Sequence, residues 1–106
     1  EVQFFNEEIT EIVEKILKKG LHVIVAGLDT DFLGKGFGSV PELMTLASKV
    51  HKLTGICDYS GCNNSSIRTQ RLINGKPAKR NDPIISIEGQ NNTYESRCLI
   101  HYEIGE

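Results

Sequence analysis

The sequence predicts an α/β protein with a parallel sheet, followed by a small zinc-bound module, and three observations carry that expectation. An amphipathic helical pattern over residues 6–20 runs directly into an apolar, β-branched stretch, Leu21 to Leu28, as in a strand–helix–strand unit. All three cysteines fall late in the chain and form, with one histidine, two close pairs: Cys57-x4-Cys62 and Cys98-x2-His101. Thirty-five residues separate the pairs, so a metal gripping both would tie off a long insert.

Taken in order, Glu1-Val2-Gln3-Phe4-Phe5 reads as the end of a strand, and the chain is expected to begin inside a domain. Asn6 is a good N-cap, Glu7 and Glu8 suit a helix N-terminus, and Ile9, Ile12, Val13, Ile16 and Leu17 recur at helical spacing. Lys15, Lys18 and Lys19 favour the last turn, and Gly20 ends it. Leu21 to Leu28 then has the composition of a strand buried on both faces of a parallel sheet. Asp29 to Gly38 is a glycine-rich loop at the carboxyl end of that strand, where α/β sheets bind ligands. It is not a Walker A loop: Asp29 stands where the first glycine belongs, and Gly36 follows Gly34-Lys35 in place of serine or threonine. Phe32 and Phe37 in this loop suit packing on a flat ligand as well as core anchoring.

Pro41 opens a second helix with Leu43, Met44, Leu46, Ala47 and Val50 as its apolar positions. Residues 52–56 are expected to form a strand that delivers Cys57. Asn74-Gly75 is a type I′ hairpin signal, Asp82-Pro83 a turn, Ile84 to Ile87 a short strand, and Gly89 to Thr93 a polar loop. His22 and His51 read as ordinary histidines at element ends.

Two thiols and a thiol–imidazole pair supply the four ligands of a tetrahedral structural zinc site. The competing reading leaves Cys57 and Cys62 as buried cysteines and His101 as a surface histidine. Disulfides fit less well, because three cysteines leave one unpaired and the chain opens with no secretory signal, which favours a reducing compartment. Composition bounds the rest. The 106 residues fit one domain, or part of one with an appended module, and a net charge of −2 gives no long-range attraction to nucleic acid. No apolar run approaches a membrane span.

Several ordered stretches point to a family. Glu1-Val2-Gln3-Phe4-Phe5, Ala26-Gly27-Leu28-Asp29-Thr30-Asp31-Phe32 with Phe37-Gly38, Lys52-Leu53-Thr54-Gly55-Ile56-Cys57, Arg68 through Ala78, and Tyr94-Glu95-Ser96-Arg97-Cys98 closely resemble the carboxyl-terminal part of type II thymidine kinases. The resemblance spans essentially the whole chain. It implies part of a RecA-like P-loop core with a parallel sheet over residues 1–53, then a zinc ribbon over 54–106 whose lasso loop covers about 69–97.

The activity implied is ATP-dependent phosphorylation of the thymidine 5′-hydroxyl. Glu1 matches the general base that follows the Walker B aspartate. Phe4, Leu28, Phe32 and Phe37 match the walls around the base, and Thr69, Ile85, Ile87, Gly89 and Tyr94 match lasso positions that hold thymidine. Cys57, Cys62, Cys98 and His101 match the structural zinc ligands, and Mg²⁺ would arrive with ATP on residues upstream of Glu1. A cytoplasmic homotetramer inhibited by dTTP, binding neither nucleic acid nor membrane, completes what the resemblance implies.

This sequence departs from the family pattern at two points. The first knuckle usually reads Cys-x2-Cys, and here Ser60 takes the expected cysteine position while Cys62 lies two residues further on. The Walker A loop and Walker B aspartate have no counterpart in these 106 residues. Two readings from other classes compete: a zinc-ribbon binding module without catalysis, and a kinase-like regulator that binds nucleoside without turnover.

Overall fold

The computed structural model describes residues 1–86 and 89–106, and within it the chain divides into two compact units. One comprises Glu1–Asp29 with Gly36–His51, the other Thr30–Lys35 with Lys52–Glu106.

In the first unit, helix α1 spans Ile9–Lys18 and helix α2 spans Val40–Leu46. Asn6 caps the approach to α1 by accepting the Glu8 amide at 3.0 Å, and the helix stops where Gly20 takes φ 77, a conformation only glycine adopts without strain. Pro41 sits in the first turn of α2, where its missing N–H costs nothing. Val2, Val13, Val40 and Leu43 form the buried core, with Ile9, Val23 and Met44 packed at its edge. Thr10 on α1 donates to the Glu42 carboxylate on α2 at 3.2 Å.

Two expected strands are absent from this unit. Val2–Phe4 is a turn of 3₁₀ helix, because the Phe4 and Phe5 amides bond back to Glu1 and Val2; only the first residues reach across, with the Val2 amide donating to the Ala26 carbonyl at 3.1 Å. Leu21 to Leu28 is not hydrogen-bonded into a sheet, and the strand–helix–strand unit does not form. A strand needs a neighbour to satisfy its amides and carbonyls. Without one the apolar run stays open, and Ile24 is 96% exposed. Helix α2 is also shorter than its apolar pattern: Ala47 is already extended and Val50 is exposed, so no buried face carries the helix further.

The second unit is antiparallel. Strands β1 (Gly55–Ile56) and β2 (Ser65–Ser66) form a short hairpin, and a three-stranded sheet runs β4–β3–β5, from Lys76–Pro77, Arg68–Ile73 and Asn92–Arg97. Asn74 and Gly75 join β3 to β4 with φ of 51° and 76°, the type I′ turn that pairs Ile73 with Lys76. Strand β5 begins at Asn92, so Asn92 and Thr93 belong to the ladder and not to the expected polar loop. Ile84 to Ser86 form no strand; Ile87, the last residue of that expected strand, lies outside the described residues.

Side chains alternate across β3, and both central ones are buried. Gln70 meets the chain end on one face: its carboxamide donates to the Glu103 carbonyl at 2.9 Å and accepts the Glu103 amide at 2.8 Å, as a strand neighbour would. A parallel bridge between Lys79 and Gly105 continues that docking. Arg71 leaves β3 on the opposite face.

Candidate metal centre and the loop it anchors

Each cysteine–cysteine or cysteine–histidine pair is delivered by strand geometry. The β1–β2 hairpin continues one step beyond its strands, with the Cys57 amide donating to the Asn64 carbonyl at 2.9 Å. The turn between them closes with the Cys62 amide on the Tyr59 carbonyl at 2.9 Å, and Gly61 absorbs the reversal at φ 77. Asp58 fastens this turn to β5, accepting the Ser96 amide at 2.7 Å while its own amide donates to the Ser96 carbonyl. Strand β5 then runs straight into Cys98, and the His101 amide bonds the Cys98 carbonyl at 3.2 Å to close the second turn.

The result is one cluster. The ligand atoms of Cys57, Cys62, Cys98 and His101 all lie within 4.8 Å of one another. Cys62 Sγ stands 4.0 Å from Cys98 Sγ, and His101 Nδ1 stands 3.4 Å and 3.8 Å from the sulfurs of Cys98 and Cys57. Thiolates around a tetrahedral zinc at about 2.3 Å sit about 3.8 Å apart, close to these three spacings. The wider knuckle therefore brings Cys62 to the cluster, with Ser60 left out of it.

Thiolates are what a metal binds, and the site favours one of them. Burial raises the Cys98 thiol, but the amides of His101 and Ile100, with Cys57 and Asn64, outweigh it and bring it down to about 6. Cys62 moves the other way: the Asn64 amide lowers it, yet burial and the neighbouring sulfurs of Cys57 and Cys98 prevail and raise it.

Sequence reasoning missed the groups that surround these ligands. Tyr59, one of the residues inside the wide knuckle, stacks on the His101 ring with centroids 4.0 Å apart and planes 5° from parallel. The Arg97 guanidinium lies over the Tyr59 ring, 5.2 Å from its centroid, donates to the His101 carbonyl at 2.9 Å and pairs with Glu95. Asn64 Nδ2 points at Cys98 Sγ from 3.9 Å. An aromatic two residues after Cys57 and an arginine immediately before Cys98 were the available signals.

These turns resemble a metal knuckle whatever protein carries them; the whole chain is more specific. The family model described as thymidine kinase matches residues 1–102. The chain belongs to the thymidine kinase family.

The remaining residues that the family resemblance marks can now be located within each unit. In the first, Glu1 is exposed and its terminal amine donates to the Ala26 carbonyl at 3.0 Å. Phe4 and Phe37 meet edge to face with centroids 5.6 Å apart, and Leu28 is half exposed, its amide donating to the Gln3 side chain at 3.2 Å. In the second, Phe32 is buried in a turn that Asp31 builds by accepting the amides of Leu33 and Lys35 at 2.9 Å and 3.0 Å. The Tyr102 hydroxyl donates to the Phe32 carbonyl at 2.5 Å, and burial raises the Tyr102 phenol above its usual range.

Thr69 lies on β3 opposite Ser96, and Tyr94 on β5 opposite Arg71. The Tyr94 hydroxyl hydrogen-bonds the Ser86 hydroxyl at 2.5 Å, which brings one lasso residue of the sequence reading onto the stretch that holds another, the exposed Ile85. Gly89 has φ 87, and Ile87 lies outside the described residues. No helix among the described residues is long and apolar enough to cross a membrane.

Proposed function

We propose that this chain is the acceptor-binding part of a thymidine kinase, transferring the γ-phosphoryl group of ATP to the 5′-hydroxyl of thymidine. The observation that carries the proposal is the family match over residues 1–102, and the four-ligand cluster at both ends of a long loop supports it. Phosphoryl transfer depends on positioning and on excluding water, so a loop pinned at both ends is the kind of lid the reaction uses.

In this reading Cys57, Cys62, Cys98 and His101 hold a structural zinc, which supplies cross-linking and no chemistry of its own. Residues on the lid, among them Thr69, Ile85, Ile87, Gly89 and Tyr94, hold the nucleoside largely through main-chain groups, and Phe4, Leu28, Phe32 and Phe37 wall the base. Glu1 accepts the proton as the 5′-oxygen attacks. The phosphate loop, the groups that hold Mg²⁺ with ATP and the parallel RecA-like sheet are assigned to sequence upstream of Glu1. A cytoplasmic homotetramer and inhibition by dTTP in the thymidine site belong to the same reading.

The test is ATP-dependent phosphorylation of thymidine by the polypeptide that carries this sequence with whatever precedes Glu1. Turnover is expected, and Glu1→Gln is expected to lower kcat by about a hundredfold or more while thymidine affinity stays within about threefold. Thymidine binding without turnover in the wild type would favour the regulator reading, and zinc binding without nucleoside binding the ribbon module.

A further inference from the structure

Arg71 is 1% exposed and, among the described residues, is with Gln70 the most deeply buried of the large side chains. Burying a guanidinium is costly unless its donors are satisfied, and here each nitrogen has a partner. Nε donates to Asn92 Oδ1 at 2.8 Å, one terminal nitrogen donates to Gln90 Oε1 at 3.2 Å, and the other donates to the Pro83 carbonyl. The flat of the group lies over the Phe32 ring, 5.3 Å from its centroid. One side chain from the middle of β3 therefore touches the 30–35 turn, Pro83 within the loop between β4 and β5, and Gln90 and Asn92 at that loop's end.

The loop's two ends are held by backbone bonds: Ala78 to Arg71 and Gly105, Lys79 bridged to Gly105, and the Asn91 carbonyl accepting the Asn74 amide. Between those ends, its described residues are otherwise tied by the Lys79–Asp82 turn and the Ser86–Tyr94 hydroxyl pair. Ile85 stands 64% exposed. Metal ligands fix where the insert starts and ends in sequence, but they do not set the path of residues 78–91.

We infer that Arg71 is the positioning residue of the lid: its fork places Pro83, Gln90 and Asn92 and joins them to Phe32. The inference rests on the reading that this loop closes over a nucleoside. Arginine suits the task because its planar fork holds several acceptors in fixed directions, which a lysine ammonium cannot do. A loop held in shape beforehand loses less freedom when ligand arrives, so the contribution belongs to binding and not to the chemical step.

The experiment compares wild type, Arg71→Ala, Arg71→Lys and the double variant Asn92→Ala/Gln90→Ala in the full polypeptide, by amide hydrogen exchange and by thymidine kinetics at saturating ATP. The expected result for Arg71→Ala is exchange at residues 79–91 faster by about tenfold or more, KM for thymidine raised by about tenfold or more, kcat within about threefold and bound zinc unchanged. Arg71→Lys is expected to recover only a minor part of either effect, and the double variant to move both in the same direction while leaving β3 intact.

Exchange and KM within twofold of wild type in a folded Arg71→Ala would overturn the inference. So would loss of zinc, kcat and affinity together in every variant, which describes a general structural role. Where Arg71→Ala does not fold, the double variant decides by the same criteria. If the wild type binds no thymidine, the exchange measurement still decides whether Arg71 holds the loop, and only the nucleoside reading fails.

Discussion

Residues 52–106, with the 30–35 turn, hold together with scarcely any aliphatic core, whereas residues 1–29 and 36–51 depend on one built from Val2, Val13, Val40 and Leu43. In the former, the buried side chains among the described residues are Phe32, Cys57, Ala78 and Cys98 with Asp31, Ser66, Gln70 and Arg71. Ser66 and Ser96 share a hydroxyl bond beneath the knuckles, Gln70 mimics a strand towards Glu103, and no described buried side-chain polar atom lacks a partner. A unit this small cannot bury enough apolar surface to rely on it; a satisfied polar network takes its place, and a metal held by the Cys57, Cys62, Cys98 and His101 cluster would add a cross-link. The difference teaches that the two units should fail under different insults.

Metal removal is the largest of these. Chelation at neutral pH, or Cys98→Ser, is expected to cost the knuckle unit several kcal/mol and release about one zinc per chain, while the exchange protection of α1 and α2 changes little. Equal loss in both units, or a metal-free protein with native exchange throughout, would break the comparison. Next comes the aliphatic core: Leu43→Ala is expected to destabilise the first unit by about 2–4 kcal/mol in thermal unfolding, against less than about 0.5 kcal/mol for Ile24→Ala in this chain. A large cost at Ile24 would mean that the 21–28 run is buried in the protein assayed, as the parallel-sheet reading requires of the working enzyme.

Tyr59→Ala is expected to weaken zinc binding by about tenfold by freeing the His101 ring, measured by competition with a chelator. An unchanged affinity would leave the stack as packing alone. The smallest effect is at Tyr102. Replacing it with Phe removes the bond to the Phe32 carbonyl at a cost of about 1 kcal/mol. Because folding raises the Tyr102 phenol, its contribution is fully present below the ordinary tyrosine value and is lost as pH rises through the raised folded one. Phenolate absorbance during alkaline titration checks the direction, and a Tyr102 that ionises at or below the ordinary value would contradict it.

Local chemistry explains which features were legible. Asn74-Gly75 specified its turn because few other residues take two successive positive φ values, and α1 carried its own stop signal at Gly20, while the expected cap, Asn6, lies one turn ahead of a helix that begins at Ile9 after Glu8. The cysteine pairs were legible because metal ligands come at fixed spacings, and Gly61 shows how an x4 turn still delivers Cys62. Leu21 to Leu28 misled because composition reports a preference for a sheet, while a ladder also needs a partner strand. Arg71 was invisible for a related reason. An arginine in a strand normally marks a solvated face, and only the loop folding back over β3 turns it into a buried fork.

The claim on which the account depends is that the metal-anchored loop closes over thymidine. Amide exchange of the zinc-loaded polypeptide, including whatever precedes Glu1, tests this directly with and without saturating thymidine. The account predicts that residues 79–94 slow by about tenfold or more on thymidine addition while the Cys57–Asn64 turn, which the loaded zinc would fix beforehand, stays as it was. Bound thymidine with no slowing anywhere in 79–94 would contradict it.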